Sequence, residues 1–426
     1  MYNYIVVLHL FPTKLLIMKI KVLISSVLFV ACILLGSCQT ANDFDRSLNN
    51  IINPYRFSIF EWEIRTLTAE MEQIIFGNND YKIDDPRFVV DFFSLLEEIS
   101  SLEFQILYYK DQIDNDELSS MQNQLNVLKQ DRESKKKKVE KIIELQIREI
   151  LKQLDLYLYN DITGLNIPFP PINFSLESPP HLLIVSPKDD IYRMREIILV
   201  QDLTIDEIIQ IETEIEELGY SSIVLRVGGM ATFPSFVTNN AGLEFTLSTA
   251  IEEWFHQYLF FKPTGFLYAF NLLGLYEDSN ISTINETIAG IVSDEIASMV
   301  YQNYYAAYFE ENMFVYTESN NFDYYEEMRN IRITVDNYLA EGEIEKAEAY
   351  MEERRLYILS NGYYIRRLNQ AYFAFYGTYA SSPSSVNPIG DMLWDLRDRS
   401  GNVTDFIELT SGIKNMDDLH NLYENH

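Results

Sequence analysis

The residues best able to do chemistry lie in Glu252-Glu253-Trp254-Phe255-His256 and, beginning 29 positions beyond His256, in Asn285-Glu286-Thr287-Ile288-Ala289-Gly290. If the first run is helical, Glu252 and His256 are four apart and share a face, while Glu253 is turned about 100° away. An imidazole beside carboxylates is open to acid–base work or to metal binding. Other candidates are scarce. The remaining histidines are His9, His181, His420 and His426. His181 falls in a strand pattern and reads as packing, and the last two lie in a C-terminal tail. Trp254 and Phe255 read as core. Two cysteines exclude a disulfide scaffold and zinc-ribbon spacing. No G-x-S-x-G elbow, P-loop or G-x-G-x-x-G occurs.

The chain must build a large core to position such a group, and its composition allows one. Of 426 residues 47% are hydrophobic and 14% aromatic, too apolar for a disordered acidic chain despite a net charge of −31. That charge repels phosphate backbones, so no nucleic-acid partner is expected.

The N-terminus reads as an address. Met18-Lys19-Ile20-Lys21 precedes an apolar run from Val22 to Leu35, and Leu35-Gly36-Ser37-Cys38 closes it. Basic start, apolar middle and small-residue exit describe a secretory signal peptide, with the true start possibly at Met18. The ending resembles a bacterial lipobox. That resemblance implies lipidation of Cys38 and a membrane-anchored lipoprotein of the cell envelope, facing outside the cytoplasm. Gln39 to Asn53 is polar and reads as a linker.

Beyond it, Phe57, Phe60, Ile64, Leu67 and Met71 recur at helical spacing, Asp85-Pro86 opens a second helix, and a third carries Leu125 through Leu154. Strand patterns follow at Ile172–Glu177, His181–Ser186, Tyr192–Gln201 and Ser222–Val227. Among them Thr204-Ile205-Asp206-Glu207 forms a capping box. Gly228-Gly229 makes a turn before Met230–Val237, and from Leu243 the pattern is helical almost to the end.

Strands first, then E-E-x-x-H on a helix and N-E-x-x-A on another, resemble the gluzincins over roughly residues 180–300. These are zinc metallopeptidases with H-E-x-x-H on one helix and a glutamate ligand on a later one. The resemblance implies Glu252, His256 and Glu286 as metal ligands, Glu253 as general base, and peptide or protein as substrate. Ala231 to Ser235 would belong to the sheet whose edge holds the substrate. A transition-state oxyanion would need a donor, for which Tyr372, Tyr376 or Tyr379 could serve.

The sequence departs from the pattern twice, and the departures agree. Glu252 replaces the first histidine. Gly290 stands where an Asp often accepts a hydrogen bond from that histidine. A carboxylate ligand would be repelled by such an Asp. With two carboxylates and one imidazole the centre has no net charge, whereas two histidines and one carboxylate leave +1. It therefore polarises a carbonyl less, and its oxygen ligands relax the preference for zinc toward Mn or Fe.

The expected fold is α+β and mostly helical. Residues 1–37 would be signal peptide, 38–53 lipidated cysteine and linker, and 54–165 a helical hairpin or coiled-coil-like module. A small mixed β-sheet subdomain would span 166–240, and a helical, zincin-like catalytic-type subdomain with a C-terminal extension 241–426. Two functions are carried forward: a lipid-anchored metallopeptidase, and a catalytically inactive lipoprotein using the fold as a binding or scaffold module.

Overall fold

The computed structural model describes residues 43–57, 85–109, 114–156, 158–160, 165–167, 170–272, 275–276, 278–309, 322–379, 382–385 and 388–426. The signal-peptide segment, Cys38 and the Phe60–Met71 periodicity lie outside the described residues. Among those described, no helix is long and apolar enough to cross a membrane.

Most of the stretch expected as linker is helix α1 (Asp43–Ile52). Phe44, Leu48, Ile51 and Ile52 share one side of it at steps of four, three and one, an apolar stripe within polar composition. Leu48 and Ile52 are buried on the sheet region, and Asp45 pairs with Arg195 at 2.9 Å. The chain leaving α1 then extends a sheet: Phe57 N–H donates to Ile198 O and Val200 N–H to Tyr55 O.

Helices α2 (Pro86–Tyr109) and α3 (Asn115–Gln153) form the expected hairpin. Asp114 caps α3 by accepting from Glu117 N–H at 2.8 Å. Val139, Ile142, Ile143, Ile147 and Ile150 bury the C-terminal half of α3. The apolar face of the hairpin belongs to one continuous core shared with the helices that carry the candidate site. A short antiparallel pair, β1 (Leu158–Asn160) and β2 (Leu165–Ile167), follows where helix was expected to continue.

Two three-stranded sheets replace the single small sheet expected. Antiparallel β4 (His181–Pro187) lies between β5 (Arg195–Leu199) and β6 (Tyr220–Arg226). Helix α4 (Ile205–Glu217) begins at the predicted capping box and packs Ile208, Ile211 and Ile215 on one face of this sheet. In the second sheet β3 (Phe174–Glu177) pairs parallel with β8 (Ser235–Thr238), which pairs antiparallel with the two-residue edge β7 (Gly229–Met230). The outer edge of β3 is covered by a helix: Glu140 and Glu144 of α3 accept from Leu176 N–H at 2.7 Å and Phe174 N–H at 3.2 Å. Alternate N–H groups of the strand thus meet carboxylates one helical turn apart.

Helix α5 (Leu243–Leu259) carries the E-E-x-x-H run. It buries Leu247, Ile251, Trp254 and Phe255, as expected of the latter two, and Trp254 Nε1 donates to Pro170 O at 2.7 Å. Short α6 (Pro263–Leu272) leads to the long α7 (Ser279–Tyr304), buried on most sides. After the four-residue α8 (Ala306–Phe309), the hairpin of α9 (Tyr324–Ala340) and α10 (Ile344–Ser360) forms a separate small core. Helix α11 (Gln370–Tyr376) then returns to cover the other face of the first sheet, with Ala371 and Ala374 against Leu182, Ile184 and Ile223. Helices α12 (Ile389–Arg399), α13 (Val403–Thr410) and α14 (Met416–Asn425) close the main core. The class is mixed α and β, mostly helical, as expected.

Candidate metal centre

Helices α5 and α7 pack along their lengths because each has a continuous apolar face. Where their polar positions meet, they line an open cleft of about 1400 Å³. Glu252, His256 and Glu286 come together there, each offering a ligand atom within 4.8 Å of the others. His256 Nε2 lies 3.6 Å from Glu286 Oε2, a spacing two ligands of one ion can have. The widest gap would close by roughly an ångström around a cation bound near 2 Å.

The histidine turns Nε2 to this point. Its Nδ1 lies 2.9 Å from the Asn285 amide nitrogen Nδ2, and the buried Asn285 Oδ1 has no partner among the described residues. An amide nitrogen only donates, so Nδ1 accepts in this arrangement; with the amide turned over, Oδ1 would accept from Nδ1–H and leave Nε2 free to ligate beside Glu286. Burial lowers the pKa of His256 against the opposing pull of Glu286, so the ring is neutral.

The second ligand is oriented too. Tyr268 on α6 donates its hydroxyl to Glu286 Oε1 at 2.6 Å and stacks on the His256 ring, centroids 5.7 Å apart. One side chain thus fixes two of the three ligands, as outer partners of metal ligands do. Nothing in the sequence marked Tyr268, one of 29 tyrosines on an aromatic-rich helix.

Glu252 and Glu253 have no hydrogen-bond donor among the described residues. Burial, then Glu286 and Asp294, push Glu252 up to about 8. Burial, then Glu252 and Glu286, raise Glu253 well above the usual carboxylate range. Such a group of acids holds protons until a cation displaces them. Glu253 lies against the edge strand: a Cβ on Gly229 would come within 2.5 Å of Glu253 Oε1 and of Thr249 Cγ2. Only glycine at 229 lets β7 run this close to the acid. At Gly290, by contrast, an added Cβ would meet nothing within 4 Å, so the missing Asp is not excluded by space.

Of the tyrosines weighed as oxyanion donors, Tyr372, Tyr376 and Tyr379 all line the cleft. Tyr372 and Tyr376 pack with tilted rings, centroids 4.5 Å apart, and after burial Tyr324 is the neighbour that raises both. Tyr379 is raised by burial and then by Glu286, so it is the one within reach of the acidic group's charge. Arg193, which the sequence did not single out, also lines the cleft. His181 is buried in β4, with Nδ1 at 3.0 Å from Val200 O, and takes no part. Comparison with protein-family models, curated proteins and solved structures finds no match to this chain.

Proposed function

We propose that the protein is a lipid-anchored, extracytoplasmic, gluzincin-like metallopeptidase. Glu252, His256 and Glu286 would hold the cation and Glu253 would be general base. One observation carries the reading: two carboxylates and a neutral imidazole converge in an open cleft, with a further donor-free carboxylate beside them. The ligand chemistry fits zinc, and its two oxygen donors also suit Mn or Fe. When bound, the cation supplies Lewis-acid polarisation of a peptide carbonyl and acidifies the attacking water. Glu253 takes the proton of that water and returns it to the leaving amine, a transfer suited to an acid whose pKa is raised. Tyr268 keeps Glu286 and His256 in place, and Asn285 holds the Nδ1 side of the imidazole so that Nε2 faces the site. Packing of α5 on α7 holds the acids partly out of bulk water at the base of the cleft, so their charges act on one another.

The test is elemental analysis of the purified full-length protein, then peptide cleavage by wild type and Glu253→Gln. The expected result is one transition metal per chain, with cleavage in wild type only. Cleavage that survives Glu253→Gln overturns the general-base role. A protein free of metal after incubation with Zn²⁺, Mn²⁺ and Fe²⁺ leaves a binding or scaffold lipoprotein instead.

A further inference from the structure

The oxyanion formed when water adds to a peptide carbonyl needs a donor opposite the cation, and that donor works only if it is held in place beforehand. The turn after α11 brings Tyr379 into the cleft. Its ring lies edge-on to Phe375 with centroids 5.6 Å apart, and its N–H and C=O are tied to Tyr376 O and Ser382 N–H. This turn is gripped from across the cleft. Arg193 stands in the loop before β5, pinned there by Met194 N–H donating to Val185 O at 2.8 Å. Its Nε donates to Ala374 O and its Nη2 to Phe375 O, both at 3.2 Å. Nη2 also donates to the Thr378 hydroxyl. Nη1 pairs with Glu196 at 3.1 Å, and the guanidinium lies over the Phe375 ring, 4.9 Å from its centroid. One cation thus takes up carbonyls at the open end of α11 and holds the residue just before Tyr379.

We propose that Arg193 is a positioning residue that fixes Tyr379 as the oxyanion donor of this site, joining the first sheet to the catalytic wall through the end of α11. The proposal rests on the metallopeptidase reading. Four of the five guanidinium N–H groups are used on the protein itself, which fits a role through Tyr379 rather than on substrate. A lysine keeps the charge but not the fork that reaches two carbonyls and a hydroxyl together.

The experiment is calorimetric titration of the zinc-loaded full-length protein with a phosphinic peptide, whose tetrahedral oxygens stand in for the oxyanion. Zinc affinity is measured alongside. Tyr379→Phe and Arg193→Gln should each weaken the phosphinic peptide about tenfold to a hundredfold while leaving zinc affinity within about twofold. The double variant should be no weaker than Tyr379→Phe, because Arg193 acts only through that hydroxyl. Unchanged binding in Arg193→Gln, or losses that add in the double variant, would overturn the proposal. Should Arg193→Gln fail to fold, Arg193→Lys carries the same test with a smaller expected loss. A wild type that takes up no zinc sinks the metallopeptidase reading and this proposal with it, a result distinct from both others.

Discussion

Two helical segments carry pairs of acids, one turn apart on α3 and adjacent on α5, and put them to opposite uses. On α3, Glu140 and Glu144 accept backbone N–H groups from β3, and Lys141 reaches Glu144 at 2.9 Å. On α5, Glu252 and Glu253 have no donor among the described residues, although Glu252 shares its face with a neutral imidazole. Burial raises all four: Glu140 to about 7, Glu252 to about 8, Glu144 and Glu253 in the same direction. Desolvation therefore does not distinguish them. Donors do. A buried carboxylate supplied with N–H groups is part of the fold, while one left without them is a site prepared for a cation or a proton.

The contrast breaks first at Glu253. Glu253→Gln should lower peptide cleavage about a thousandfold while keeping metal content and thermal unfolding, because no folded contact depends on its charge. Glu144→Ala should do the reverse, leaving cleavage in place and costing about 1–3 kcal/mol by stranding Phe174 N–H. Parallel kinetics and denaturation on both variants measure this. If Glu144→Ala removed cleavage without loss of stability, the division between the two helices would fail.

Glu140 gives the next largest effect, seen in stability against pH. Its folded pKa of about 7 lies above the usual 4.5 of a glutamate, raised by burial and opposed by the Leu176 N–H and Lys136. A carboxyl raised in the folded state contributes its stability in full below the unfolded pKa and loses it as pH rises through the folded one. Denaturation between pH 4.5 and 7 should thus lose up to roughly 3 kcal/mol through this group. Glu140→Gln should flatten that part of the profile. An identical slope in the variant would place the proton elsewhere.

On α5 the same chemistry should appear as metal affinity. Glu252 must shed its proton to bind a cation, so below about pH 8 zinc affinity should rise about tenfold per unit and level off above. Competition with a chelator of known affinity measures it. A flat profile from pH 6 to 8 would remove Glu252 from the ligand set.

Much of this was readable in the sequence because it depends on local patterns. The Thr204 capping box, the Pro86 helix start and the apolar faces of α5 and α7 follow from spacing alone, as does the four-residue step uniting Glu252 with His256. What was not readable depends on partners distant along the chain. Nothing near Glu140 shows that its hydrogen arrives from Leu176, and nothing near Tyr268 that its hydroxyl ends on Glu286. The stretch expected as linker misled for a related reason: its composition is polar, yet four apolar side chains on one face were enough to dock α1. Nor does any local pattern show that α2 and α3 share one continuous core with β3, α5 and α7.

The smallest predicted effect sharpens the account of α5. If Glu252 and Gly290 changed together because a carboxylate ligand cannot tolerate an Asp behind it, then Glu252→His alone gives an imidazole without its carboxylate partner. Gly290→Asp alone places an acid beside an acid. Together they should restore the supported histidine, and the open space at Gly290 admits the new side chain. The double variant should bind zinc about tenfold more tightly than Glu252→His, the usual scale of an outer carboxylate on a ligating histidine. Gly290→Asp in the Glu252 background should weaken binding instead. The informative quantity is the sign reversal between backgrounds, read from zinc titrations of the four proteins. Equal effects of Gly290→Asp in both would show that the two positions do not face each other, and that the glycine owes nothing to the glutamate.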